Sequence, residues 1–214
     1  MRTILHNLEE KLYVTHTVEG RTYVYRAVET RRSVAVRATQ QIIDRFCGGS
    51  AVELLIGLVD SQVLKPRQLV LIDMGAFQEG YASDMTRMLF LGAPGAQVKR
   101  LYRAVLEAQL AAIDAVRPGV TTARVDRQAR NVLKAYKLDR AFVHSTGHGL
   151  GLEIHELPRI GKKDKTPLAA GMAITIEPGV YLEGVGGIRI EDTVVVTPTG
   201  CEVLTPTSKE LRVI

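Results

Sequence analysis

Acidic side chains interrupt apolar segments at four places in this 214-residue sequence. Asp73 sits inside LVLIDMGA and Asp84 inside YASDMTRMLF, eleven residues further on across a tight turn. On a hairpin these positions lie almost opposite each other, so both carboxylates can converge on one face. Glu177 ends the apolar run MAITIEP, and Glu191 lies in GGIRIEDTVVV. Alternation along that strand gives Arg189 the same face as Glu191 and turns Ile188 and Ile190 the other way. Four carboxylates in segments that otherwise want burial repel one another in a low-dielectric interior, so something cationic must neutralise them. The segment His144-Ser145-Thr146-Gly147-His148-Gly149 supplies imidazole in a Gly-rich turn, and His155 follows His148 by seven residues. Four carboxylates and one imidazole are a ligand set for two divalent cations of the Mn, Co, Fe or Zn type. Two such ions can share a hydroxide of lowered pKa and polarise a carbonyl, which is the chemistry of amide hydrolysis. A single strand Asp more often serves a turn or a cap. Taken together, Asp73, Asp84, His148, Glu177 and Glu191 point to one site.

The elements that must position these residues change character near Lys65-Pro66-Arg67. Before it, Met1–Lys11 carries Ile4, Leu5 and Leu8 on one face of a short helix. Tyr13–Val18 and Arg21–Tyr25 alternate around Glu19-Gly20 as a β-hairpin. Thr30 can cap a helix running to about Phe46, with Val34, Ala38 and Ile42 inside and Gly48-Gly49 as its stop. Ser50 can cap a last, strongly apolar helix through Leu64. After the change, Leu69–Ala76 and Tyr81–Phe90 read as strands joined at Gln78-Glu79-Gly80. Gln97–Val116 places Val98, Leu101, Val105, Ala108 and Ala112 at helical steps, and Pro118-Gly119 ends it. A second helix, about Thr122–Tyr136, buries Val125, Val132 and Leu133. Short apolar segments from Phe142 onward suggest strands. The fold class is therefore α+β, with two regions, 1–66 and 67–214.

Composition bounds the rest. With 46% hydrophobic and 24% charged residues the chain is globular, not disordered or collagen-like. The apolar run 51–64 is broken by Glu53 and Asp60 and falls short of the roughly 20 residues a bilayer span needs. The opening MRTILHNLEEK lacks the order of a secretory signal. Cys47 and Cys201 stand far apart, so a reducing cytoplasm is the expected compartment, with no membrane partner. Basic residues, 28 Lys and Arg against 23 Asp and Glu, give a net charge of +5 and are spread along the chain. This balance permits contact with nucleic acid without arguing for it.

The order IDMG, SDMTR, HSTGHGLGLEIHE, TIEPGVY and GIRIED resembles the pita-bread metallopeptidases, in their Xaa-Pro aminopeptidase and Xaa-Pro dipeptidase branch. The resemblance covers about Leu69 to Ile214. It implies an antiparallel sheet with covering helices and two divalent metal ions. Asp73 would chelate one ion, Asp84 and Glu191 would bridge both, and His148 and Glu177 would complete the other. Glu177 would also shuttle the proton of the water. His155 and His144 would face the substrate and stabilise the tetrahedral intermediate, with Arg189 supporting the site electrostatically. The implied substrate is a peptide with proline in its second position. The helices and strands that family domains place before the first metal-binding Asp are not recognisable, and a histidine the family uses there has no counterpart.

The earlier segment, ILHNLEEK, YVTHTVEGRTYVYRAV and RRSVAVRATQQIIDRFCGGSAVELLIGLV, resembles the penicillinase-repressor family of winged-helix regulators. That resemblance implies a partial winged-helix segment over residues 1–66. Met1–Lys11 would end the recognition helix, the hairpin would be the wing, and the last two helices would form a homodimer interface. Arg2, His6, Arg21 and Arg26 would contact duplex-DNA phosphates. Leu12 departs from the Gly common there in that family. Three functions follow for test: a two-metal peptidase, a dimeric DNA-binding repressor, and a metal-binding homologue without turnover.

Overall fold

The structure, a computed structural model, describes residues 67–214 continuously and, before them, Glu9 and residues 14–19, 22–28, 39–45 and 48–49. The chain divides into two compact units, Met1–Leu64 and Lys65–Ile214.

In the first unit, β1 (Val14–Glu19) pairs antiparallel with β2 (Thr22–Ala27), Glu19 standing opposite Thr22 beside the turn. β-Branched and aromatic residues favour this extended pairing. The His16 and Tyr23 rings meet edge to face at 4.9 Å, and His16 Nδ1 lies 2.5 Å from Glu9 Oε1. Residues 39–45 are helical, and Gly48 and Gly49 take the positive φ that a helix stop requires. Ile43 is the buried side chain of this turn, whereas Ile42, expected inside, is 44% exposed. A one-residue error in phase moves a helical side chain by about 100°, enough to exchange the two. The expected helix at 51–64 lies outside the described residues, as does Met1–Lys11 apart from Glu9.

The second unit packs two helices on strands that are antiparallel except for the C-terminal pair of Arg212–Val213 with Leu89–Phe90. α1 (Ala96–Asp114) buries Leu101, Ala104, Val105, Ala108 and Ala112 along one stripe, and α2 (Thr122–Ala135) buries Val125, Ala129 and Leu133. These stripes close a single core with Ile174 and Ile176 of β9 (Ala173–Ile176) and Val194 and Val196 of β12 (Asp192–Val196). The central sheet has the order β13-β12-β9-β7-β8, with β7 at Gly147–Gly149, β8 at Glu156–Ile160 and β13 at Cys201–Val203. A second sheet, β14-β6-β3, joins Leu69–Met74 (β3), Met85–Phe90 (β6) and Arg212–Val213 (β14). The last two form separate hairpins: β4 (Phe77–Gln78) with β5 (Tyr81–Ala82), and β10 (Gly179–Leu182) with β11 (Gly186–Arg189). No described helix is long and apolar enough to cross a membrane.

Two local features differ from the expectation. Across β3 and β6 the partner of Asp73 is Thr86, not Asp84. The turn is built as two ladders, with the chain bending between them at Gly75-Ala76 and Ser83-Asp84, where Ser83 N–H donates to the Ala76 carbonyl. The offset is two residues, one full strand period, so Asp84 keeps the face of Thr86. Secondly, GIRIED is not one strand. β11 ends at Arg189 and β12 begins at Asp192, in a different sheet, and Glu191 occupies the crossing.

Candidate metal centre

Each candidate ligand sits where backbone leaves or interrupts a ladder. Asp73 is near the end of β3, Asp84 precedes β6, His148 is central in the short β7, Glu177 follows β9, and Glu191 lies between β11 and β12. His148 is flanked by glycines for a steric reason. A Cβ on Gly147 would overlap the Thr175 carbonyl, and one on Gly149 the Leu157 carbonyl. The close approach sets the imidazole against β9.

Asp84, His148 and Glu191 each offer a ligand atom within 4.8 Å of the other two. His148 Nε2 stands 3.4 Å from Glu177 Oε1 and 3.8 Å from Asp84 Oδ2. Its Nδ1 is 3.0 Å from the Gly149 carbonyl. A carbonyl can only accept, so Nδ1 donates there and Nε2 is the nitrogen turned to the carboxylates. Asp73 is turned to Arg189, whose Nη2 donates to Oδ2 at 2.7 Å. Of the five candidates, three thus converge tightly, Glu177 lies against His148, and Asp73 is engaged by Arg189.

Burial and mutual repulsion act on the acids together. Burial pushes Glu177 up to about 7, with Asp84 and Asp73 adding to it and Arg189 opposing. Burial, then Glu177 and Asp84, push Glu191 up to about 8. Asp84 is likewise raised, by burial first and Asp73 second. Glu191 Oε2 accepts from the Thr86 hydroxyl at 2.6 Å, but Oε1 is buried without a hydrogen-bond partner. An orphaned carboxylate oxygen beside two other carboxylates and an imidazole nitrogen fits a divalent cation of the harder transition-metal type.

His144, His155 and Arg189 line the adjoining cavity of about 560 Å³ together with His148, Glu177 and Arg159. The His148 and His155 rings stand 4.4 Å apart. His144 Nδ1 lies 2.8 Å from the Ser145 carbonyl and Nε2 3.1 Å from the Tyr181 hydroxyl. Burial lowers the His144 pKa and favours a neutral ring. Arg189 Nη1 donates to the Tyr181 oxygen at 3.1 Å, so the Tyr181 proton is free to go to His144 Nε2. Three participants escaped the sequence reading: Thr86, Thr175 and Tyr181. Thr175 accepts from His148 N–H at 3.1 Å and lies 3.3 Å from Glu177 Oε1. Spacing alone could have found the two threonines, each two residues from a ligand and so on its face. Tyr181 had no such signal.

The sequence model of metallopeptidase family M24 matches residues 17–198. The Xaa-Pro dipeptidase of Pyrococcus furiosus is 46% identical over 155 residues, 72% of this chain and 44% of that protein. Prolidase from Pyrococcus horikoshii OT3 superposes with a TM-score of 0.68 at 46% identity, over 69% of this chain and 43% of that one. Dipeptidase PepE from Mycobacterium ulcerans does so with a TM-score of 0.69 at 48% identity, over 71% and 41%. The chain spans less than half the length of these relatives. The family match begins at Thr17, on β1, and runs through the hairpin and the helical residues 39–45. The winged-helix resemblance over the same residues gains no support from it. Of the candidate DNA contacts, Arg2, His6 and Arg21 lie outside the described residues, and Arg26 is on β2 opposite Thr15.

Proposed function

From the membership of this chain in metallopeptidase family M24, which the match over residues 17–198 shows, we propose that it hydrolyses the peptide bond preceding proline in Xaa-Pro substrates. The observation that carries the reading is the convergence of Asp84, His148 and Glu191 on a buried, unpartnered Glu191 oxygen. The names of the relatives, Xaa-Pro dipeptidase and prolidase, supply the proline selectivity.

Asp73, Asp84, His148, Glu177 and Glu191 are the residues proposed to hold two divalent ions, with Mn, Co, Zn or Fe suited to the donors. Such ions, when bound, lower the pKa of water and polarise the scissile carbonyl. The protein's own part is proton handling and orientation. Glu177, which stands 3.4 Å from His148 at the edge of the cavity, would take the proton from the water and return it. Arg189 holds Asp73 and Tyr181 in place through its two terminal nitrogens. His144 and His155 face the cavity where the acyl oxygen of the substrate would develop charge. A volume of about 560 Å³ is large enough for a dipeptide.

Incubation with Mn²⁺ or Co²⁺ and Xaa-Pro dipeptides tests this, with Asp84→Ala as the control. Proline release at least about 100-fold above that variant is expected, the scale of losing a group that acts directly in the reaction. Release equal to the variant overturns the reading, and metal uptake without hydrolysis identifies a binding homologue instead. No observation on the described residues favours the duplex-DNA or homodimer reading.

A further inference from the structure

We propose that Asp126 and Arg130, one turn apart on α2, are positioning residues for the segment 142–148 that carries both His144 and His148. The inference rests on the peptidase reading for its consequence in catalysis, but its geometry stands apart from it.

Asp126 is 1% exposed and has both carboxylate oxygens committed. Oδ1 accepts from the Thr146 hydroxyl at 2.9 Å and Oδ2 from Arg130 Nε at 2.7 Å. The two remaining guanidinium nitrogens of Arg130 donate to backbone carbonyls, Nη1 to Phe142 at 3.1 Å and Nη2 to His144 at 2.6 Å. The guanidinium also lies over the Phe142 ring at 4.1 Å, and that ring meets the His144 imidazole edge-on at 5.0 Å. One pair on a helix thus grips residues 142, 144 and 146 of the segment that leads into β7. From there the constraint passes directly to the site. The Thr146 carbonyl accepts from Glu177 N–H at 2.7 Å, and His144 Nε2 meets Tyr181, the partner of Arg189.

A guanidinium serves here because it can hold one carboxylate and two carbonyls at once in a fixed plane; an ammonium is a single point charge. Arg130→Lys keeps the charge beside Asp126 and loses the fork. It therefore separates positioning from folding.

The wild type, Arg130→Lys and Asp126→Asn are compared in the full chain. Four quantities are measured: thermal midpoint, Mn²⁺ affinity by calorimetry, the His144 ring resonances by NMR, and kcat and KM on an Xaa-Pro dipeptide. For Arg130→Lys the midpoint should fall by only a few degrees and Mn²⁺ affinity change by less than about threefold. Its kcat should drop roughly 10- to 100-fold with KM little changed, the scale on which supporting residues act, and the His144 resonances should move. Asp126→Asn, which retains the Thr146 bond but not the charge, should fall between. Wild-type kcat together with unmoved His144 signals in Arg130→Lys overturns the proposal. If the wild type does not hydrolyse Xaa-Pro dipeptides, the peptidase reading fails by itself. The His144 resonances then decide the positioning claim: unmoved signals in both variants overturn it.

Discussion

Glu177 and Glu191 carry a cost that depends on pH. Both have folded-state pKa values above the ordinary 4.5, at about 7 and about 8. A carboxyl raised in this way favours the folded state while protonated. Its contribution is complete below about pH 4.5 and is lost as pH climbs through 7 to 8. For Glu177 the shift corresponds to about 3 kcal/mol, and the two acids titrate as a coupled pair, so their contributions do not simply add. Unfolding midpoints of the chelator-treated protein should therefore decline from pH 5 to pH 8.5, and Mn²⁺ should restore most at the alkaline end. Because the ligands must be deprotonated, Mn²⁺ uptake at pH 7 should release about one proton, read by calorimetry in buffers of different ionisation enthalpy. A flat pH profile in the chelator-treated protein would show that these acids are not raised.

At the scale of elements, the site depends on how closely short strands approach. β7 is three residues long, and its glycines let His148 sit between β8 and β9. Gly147→Ala would force the Thr175 carbonyl away and with it the threonine hydroxyl beside Glu177. A loss of about 2–4 kcal/mol is expected from such overpacking against backbone, together with weakened Mn²⁺ binding. Chemical denaturation and calorimetry check the two effects; Gly200→Ala, with nothing within 4 Å of its Cβ, serves as the neutral comparison. The sequence showed that Asp73 and Asp84 share a hairpin, because apolar residues dominate both strands and Gln78-Glu79-Gly80 marks the turn between them. It did not show the two-residue offset, since a bend that splits a hairpin into two ladders depends on backbone pairing around Gly75 and Ser83 rather than on composition. Glu191 was legible as an acid in an apolar run, but the crossing between sheets at that point was not.

A buried charge beside the candidate metal centre ties several elements of the second unit together. Asp192, fully buried beside Glu191, accepts from Arg87 at 2.7 Å and Gln109 at 2.7 Å and pairs with Lys209 at 2.5 Å. Arg87 also donates to the carbonyls of Thr205 and Thr207. One carboxylate therefore joins β6, α1, β12 and the C-terminal segment. Asp192→Ala would leave two cations without their partner and should cost about 3–5 kcal/mol, the penalty for stranding buried charge. Denaturant unfolding measures it, and a loss below about 1 kcal/mol would show that the network is not what holds the segment. The net charge of +5 conceals this arrangement, in which cations hold a structural Asp while the neighbouring acids stay without enough of them.

By itself the sequence determined the residue types of the candidate site, their order along the chain, and most of the helices and strands around it in the second unit. Periodicity and motif spacing are local properties, written within a few residues of each other. Tertiary structure alone decided which acids converge, that Arg189 takes Asp73, and that Thr86, Tyr181, Asp126 and Arg130 complete the surroundings. These contacts join positions up to 116 residues apart. Only the packing of α2 and two sheets around one core brings such positions within hydrogen-bond reach, and no local pattern records the distance.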